Sequence, residues 1–292
     1  MNTRSDQAPF ALKQVFHPTD LSDKSRVAYA HALRITLFAG GDLTVFHVAK
    51  HTVDVEEADF PDAGTYLQAW GLLPEGAGRE AIDELGIRIK NTTSQGSDPV
   101  DSALYYLERT PADLLVMATE ARQGLTRVIN RAVAEPIASE AEAAVLFLPE
   151  SVSGFVDIET GDIDLSHILI PVAEQPDHRH TLEFVAGMLE LLDVADNRIT
   201  LLHVSSDEEP PAIEIPAEIE ERCEMVVRDG SLVQVVNEFA AAESVNLTVL
   251  TSQGRRGLVK VLLGGNTEHV LRKSPCAVLA VPCTESRIEE PG

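Results

Sequence analysis

Short runs rich in Val, Ile and Leu recur along the chain, and stretches with apolar residues at helical spacing separate them. In the first half the apolar runs predict strands near 12–17, 42–49, 86–92, 113–118 and 144–148. Helical patterns fill the gaps near 23–39, 74–84, 98–109 and 132–141. In the second half strands fall near 166–172, 198–204, 223–228, 246–251 and 276–281. The stretch 205–222 holds three prolines, so the second helix of that half is expected to be short or missing. Strand–helix alternation with near-continuous apolar strands is the pattern of βαβ units around a parallel sheet covered on both faces.

The halves repeat one another. "VFHPTDLSDKSRVAYAHALRITLFAGGDLTVFHV" in the first is matched by "ILIPVAEQPDHRHTLEFVAGMLELLDVADNRITLLHV" in the second, each running strand, proline-marked turn, helix and a strand closing in His-Val. Late in each half, Gly124 and Gly257, Val145 and Val278, and Pro149 and Pro282 keep one separation of 133 positions. The expected organisation is a domain over 1–150, a polar, acidic linker over 151–164, a second domain over 165–284 and a tail over 285–292. The last strands, 145–148 and 276–281, are short and apolar with few charges, and would leave bare sheet edges unless they packed together.

Charge narrows the partners. The 292 residues carry a formal net charge of -24 with a pI near 4.6, which argues against nucleic acid and anionic membrane surfaces, since both require clustered Lys and Arg. No apolar run of about 18 residues appears, and the N-terminal stretch lacks the apolar core of a secretory signal, so the chain reads as cytoplasmic. Three cysteines, Cys223, Cys276 and Cys283, fit small buried thiols in a reducing compartment. The last two stand at opposite ends of one strand, roughly 23 Å apart, and cannot bridge within it.

The densest candidate chemistry lies in "TSQGRRGLVKVLLGGNTEHVLRKSPCAVLAV" from Thr251 to Val281, where Gly254, Gly257, Gly264 and Gly265 lie between an apolar run and an amphipathic one. Glycines there either turn backbone N–H groups toward an anion at a helix start or simply make turns. His47 and His203 close their strands without companions at metal-ligand spacing, so a satisfied strand-end role outweighs metal binding. "DHRH" (177–180) reads as a polar helix start with Asp177 as a cap. Ser252 lacks the glycines of a nucleophile elbow, and no catalytic residue is assigned.

These motifs resemble the universal stress protein family in its tandem form, over about 12–282, with the tail "LRKSPCAVLAVP" especially close. The resemblance implies two flavodoxin-like α/β domains, each with a five-stranded parallel sheet, packed as a pseudo-dimer, and adenine nucleotide at the carboxyl ends of the strands. It carries Asp20 over as an acceptor for the adenine amino group, with Ala173 in the second copy. The family's phosphate loop, Gly-x-x-Gly, nine residues, then Gly-Ser or Gly-Thr, is broken in the first copy by Ala118, Ala121, Arg131 and Ala132. In the second copy Gly254, Gly264, Gly265 and Asn266 match in part, Thr251 stands at the first glycine position, and Val204 completes the set carried over. The expectation is a stress-response or signalling protein with degenerate nucleotide sites and no catalysis of its own. An adenine-nucleotide sensor holding ATP or AMP, with or without Mg, on the C-terminal loop is the alternative, and a slow ATPase the weaker one. Homodimerisation and an unknown protein partner stay open.

Overall fold

The computed structural model describes residues 10–49, 55–96, 98–119, 143–206, 209–252 and 274–283. Among these residues ten strands form one sheet in the order β3-β2-β1-β4-β5-β10-β9-β6-β7-β8. In the first repeat these are β1 (Gln14–Pro18), β2 (Asp42–Ala49), β3 (Arg88–Gln95), β4 (Leu114–Thr119) and β5 (Ala144–Pro149). The second supplies β6 (His167–Val172), β7 (Arg198–Val204), β8 (Cys223–Arg228), β9 (Leu247–Ser252) and β10 (Ala277–Pro282). Within each repeat all pairing is parallel, as the strand–helix alternation requires.

The repeats join where β5 and β10 run antiparallel, with Val145, Leu146 and Phe147 opposite Ala280, Leu279 and Val278. Antiparallel pairing of equivalent strands is what a local two-fold axis imposes, and it removes an apolar edge from each half. Every residue of β5 is buried. At the outer edges, β3 (RIKNTTSQ) and β8 (CEMVVR) hold half-buried and exposed positions and no fully buried one, which suits strands bonded on one side only.

Helices α1 (Arg26–Ala39), α2 (Ala63–Ala69), α3 (Arg79–Glu84), α4 (Pro99–Leu107), α5 (Arg179–Leu191) and α6 (Leu232–Ala242) cover the sheet. The expected helix over 74–84 is confined to α3, because Pro74 to Gly78 form turns, and α2 is an additional turn of helix opened by the Asp62 carboxylate on Gly64 N and Thr65 N. Among the described residues of 205–222 there is only a 3₁₀ turn, Glu220–Arg222, in keeping with the prolines. The helix expected over 132–141 lies outside the described residues.

One buried cluster unites α1 and α5 with β1, β4, β5, β6, β9 and β10, so the face under these helices is a single core spanning both repeats. On the opposite face, Val145 and Phe147 pack with Val278 and Ala280 across the join.

Candidate functional site

Strand order reverses between β1 and β4 in the first repeat and between β6 and β9 in the second. In open α/β sheets such switch points form crevices at the carboxyl ends of the strands. Local chemistry opens them here. β1 and β4 pair only at Val15–Leu114 and Phe16–Leu115, and β6 and β9 only at Ile168–Leu247 and Leu169–Thr248. Pro18 and Pro171 follow at equivalent positions and have no N–H to continue either ladder.

In the first crevice, Asp20 follows β1. Its Oδ1 accepts from Ser22 N at 2.9 Å, Ser22 Oγ at 2.6 Å and Ser25 Oγ at 2.9 Å, tying the carboxylate to the turn that starts α1. Burial pushes the carboxyl pKa up, but the Ser22 and Ser25 hydroxyls with the Ser22 N–H outweigh it and hold it below the ordinary value. Next to it Leu21 has a φ of 63°, a left-handed backbone rare for a branched side chain, fixed by Leu21 N donating to Thr19 Oγ1 at 3.0 Å. Ala118, near the end of β4, is half-buried and packs against the core under α1.

Different residues build the second crevice. Ala173 follows β6, and its N–H donates to His178 Nε2 at 3.1 Å. His178 Nδ1 is 2.7 Å from Thr251 Oγ1, which is 2.8 Å from Thr181 Oγ1. His178 is buried, and burial holds its pKa below the ordinary histidine value. Asp177 Oδ1 accepts from Arg179 N at 2.9 Å, so the "DHRH" cluster does open α5.

His47 and His203 take equivalent places. Each Nδ1 bonds the backbone carbonyl that follows the neighbouring strand's proline, Thr19 O at 2.9 Å and Val172 O at 3.0 Å, and Val204 follows His203 at the end of β7. Both rings are half-buried, tying β2 to β1 and β7 to β6. Among the described residues no group of three or more His, Cys, Asp or Glu is placed to hold a metal ion. Of the residues carried over, Asp20, Thr251 and Val204 stand at the carboxyl ends of the sheet. Gly254, Gly264, Gly265 and Asn266, and in the first repeat Ala121, Arg131 and Ala132, lie outside the described residues. Sequence reasoning missed His178 as a partner of Thr251; the signal was its place in the second copy, opposite Ser25, with Ala173 opposite Asp20.

Two doubly wound α/β units, each with a crevice at its switch point and joined edge to edge through equivalent strands, define a tandem sheet protein of the flavodoxin-like class. The chain belongs to the universal stress protein family, whose profile matches residues 12–149 and 165–282. A universal stress protein of Methanocaldococcus jannaschii is 31% identical over 142 residues, which is 46% of this chain and 80% of that one. A universal stress protein structure from Archaeoglobus fulgidus shares the fold with a TM-score of 0.59 at 15% identity, covering 93% of this chain and 97% of that one. A putative universal stress protein structure from Pseudomonas aeruginosa does so with a TM-score of 0.55 at 14% identity, over 93% and 94% of the two chains. Among the described residues no helix is long and apolar enough to cross a membrane.

Proposed function

We propose that the chain is a stress-response protein of the universal stress protein type that acts by binding, from the cytoplasm, with degenerate nucleotide sites and no catalysis of its own. The observation that carries this reading is that the polar groups at both switch points are engaged by local partners. Asp20 Oδ1 already accepts three hydrogen bonds from its own turn, and the second repeat has Ala173 in place of a carboxylate. Phosphoryl transfer calls for a metal-holding carboxylate and a residue that orients the attacking water, and a carboxylate tied to a helix start is poorly suited to the first role. The two repeats, taken as 1–150 and 165–284, form the intramolecular pair, and the working partner is another protein or a second copy.

A second reading, an ATP or AMP sensor, is favoured by one observation. Thr251 places a hydroxyl at the end of β9, directly before the stretch that contains Gly254, Gly264, Gly265 and Asn266. Mass spectrometry of ligand released from the purified protein separates the two, together with a phosphate-release assay on ATP with Mg. Degenerate sites predict no stoichiometric adenine nucleotide and phosphate release equal to that of Asp20→Ala. Stoichiometric ATP or AMP, weakened by Gly264→Val and strengthened by Ala173→Asp, sides with the sensor, and release above the Asp20→Ala level sides with an ATPase.

A further inference from the structure

The second crevice is spanned by a single side chain. His178 is 5% exposed and touches both of its walls, Ala173 N beyond β6 and Thr251 Oγ1 on β9. Because Nε2 accepts the Ala173 N–H, the ring proton must sit on Nδ1, which then donates to Thr251 Oγ1. The Thr251 hydroxyl also shares a hydrogen bond of 2.8 Å with the hydroxyl of Thr181, which is fully buried in the first turn of α5. Three elements are thus tied together by one chain of hydrogen bonds.

The first repeat serves as an internal control. Ser25 occupies the position of His178, both standing five residues after the Asp20 and Ala173 positions, and Ala118 occupies that of Thr251, 133 residues earlier. The Ser25 hydroxyl donates back to Asp20, on the β1 side, and Ala118 has no polar atom in its side chain with which to complete a bridge. The repeat that lacks the aspartate is the one that carries the histidine. Where the carboxylate is absent, the imidazole has taken the backbone donor beside it and reached on to the opposite strand.

We propose that His178 is a latch that closes the switch-point crevice of the second repeat against a nucleotide-like ligand. The inference rests on reading the switch points as ligand sites. A ligand entering between β6 and β9 must displace the imidazole from both partners. Losing two buried hydrogen bonds weakens binding on the order of tenfold or more.

The test replaces the latch by the residues of the first repeat, His178→Ser and separately Thr251→Ala, and titrates wild type and variants with ATP and with AMP by calorimetry. The latch predicts that each variant gains one binding equivalent per chain, or binds at least tenfold tighter, while melting remains cooperative. If His178→Ser does not fold, Thr251→Ala decides, since it opens the same bridge from the other wall. Nitrogen-15 NMR of the wild-type imidazole supplies a ligand-free readout. A neutral ring protonated on Nδ1, with a slowly exchanging Ala173 amide, supports the latch, and a freely exchanging ring of mixed tautomers overturns it. A bridged imidazole with no gain of binding in either variant overturns the gating role and counts against the crevices as ligand sites.

Discussion

His17 and Tyr29 are wholly buried against one another, with ring centroids 6.0 Å apart, beneath α1 in the first repeat. His17 Nδ1 bonds Val116 O at 2.8 Å, while Nε2 and the Tyr29 hydroxyl have no hydrogen-bond partner among the described residues. The second repeat places Ile170 and Leu182 at these positions, both fully buried. Burial holds the pKa of His17 down to about 4 and does the same for His31 on α1. Above pH 6.5 each is neutral in both folded and unfolded chains. As pH falls from 6.5 toward 4, the unfolded chain takes up protons that the folded one refuses, so stability falls across that window. Each histidine contributes on the order of 3 kcal/mol to that loss at its limit. The net charge of -24 opposes this trend, since acid relieves repulsion in the compact state. A difference between variants isolates the histidine. Urea unfolding at pH 7 and pH 5 is expected to show a smaller loss on acidification for His17→Ile than for wild type, and equal losses would mean that His17 takes up its proton as readily in the folded protein as in the unfolded chain.

At the scale of elements, the segment after β5 behaves differently from its composition. Residues 151–164 are polar and acidic and suggest a tether, yet Phe155 and Val156 within them, and Leu165 directly after them, are buried in the shared core. His31 Nε2 accepts from Phe155 N at 2.9 Å and Val156 N at 3.1 Å, and Trp70 Nε1 donates to Ile158 O at 3.0 Å. The segment is thus strapped across α1 and α2. Gly154 makes the turn onto this strap with a φ of 72°, and a Cβ there would lie 2.2 Å from His31 Nε2. Gly154→Ala is expected to destabilise by about 2 kcal/mol or more, from left-handed strain and the clash together. Denaturant melts that coincide with wild type would show that the strap contributes nothing to the fold. On the second repeat the equivalent of His31 is Phe184, where Phe10 packs edge-on with centroids 5.0 Å apart, and Gly187 leaves the space that ring needs. The aspartate turn, the helix starts and most strand limits were legible because each is set by neighbours in sequence. The strap was not, because its apolar residues are few and become meaningful only where α1 supplies an acceptor.

For the whole molecule, the continuous core under α1 and α5 and the β5–β10 ladder imply that the repeats unfold together. Calorimetry should give one transition. Phe147→Asp places a charge at a position 1% exposed on the join, and is expected to cost several kcal/mol. Two resolved transitions in the wild type, or a Phe147→Asp melt like the wild type's, would show repeats that stand alone. The sequence by itself determined the α/β class, the duplication, the nearly continuous apolar strands and the positions at which the two copies diverge, because periodicity and register are local properties of a chain. Only the tertiary structure decided that β5 and β10 meet antiparallel, that the acidic segment is strapped over α1, and that His178 reaches from Ala173 to Thr251. Those contacts join residues 5 to 135 positions apart through the curvature of the sheet and the splay of its strands at Pro18 and Pro171, geometry that no spacing in the sequence records.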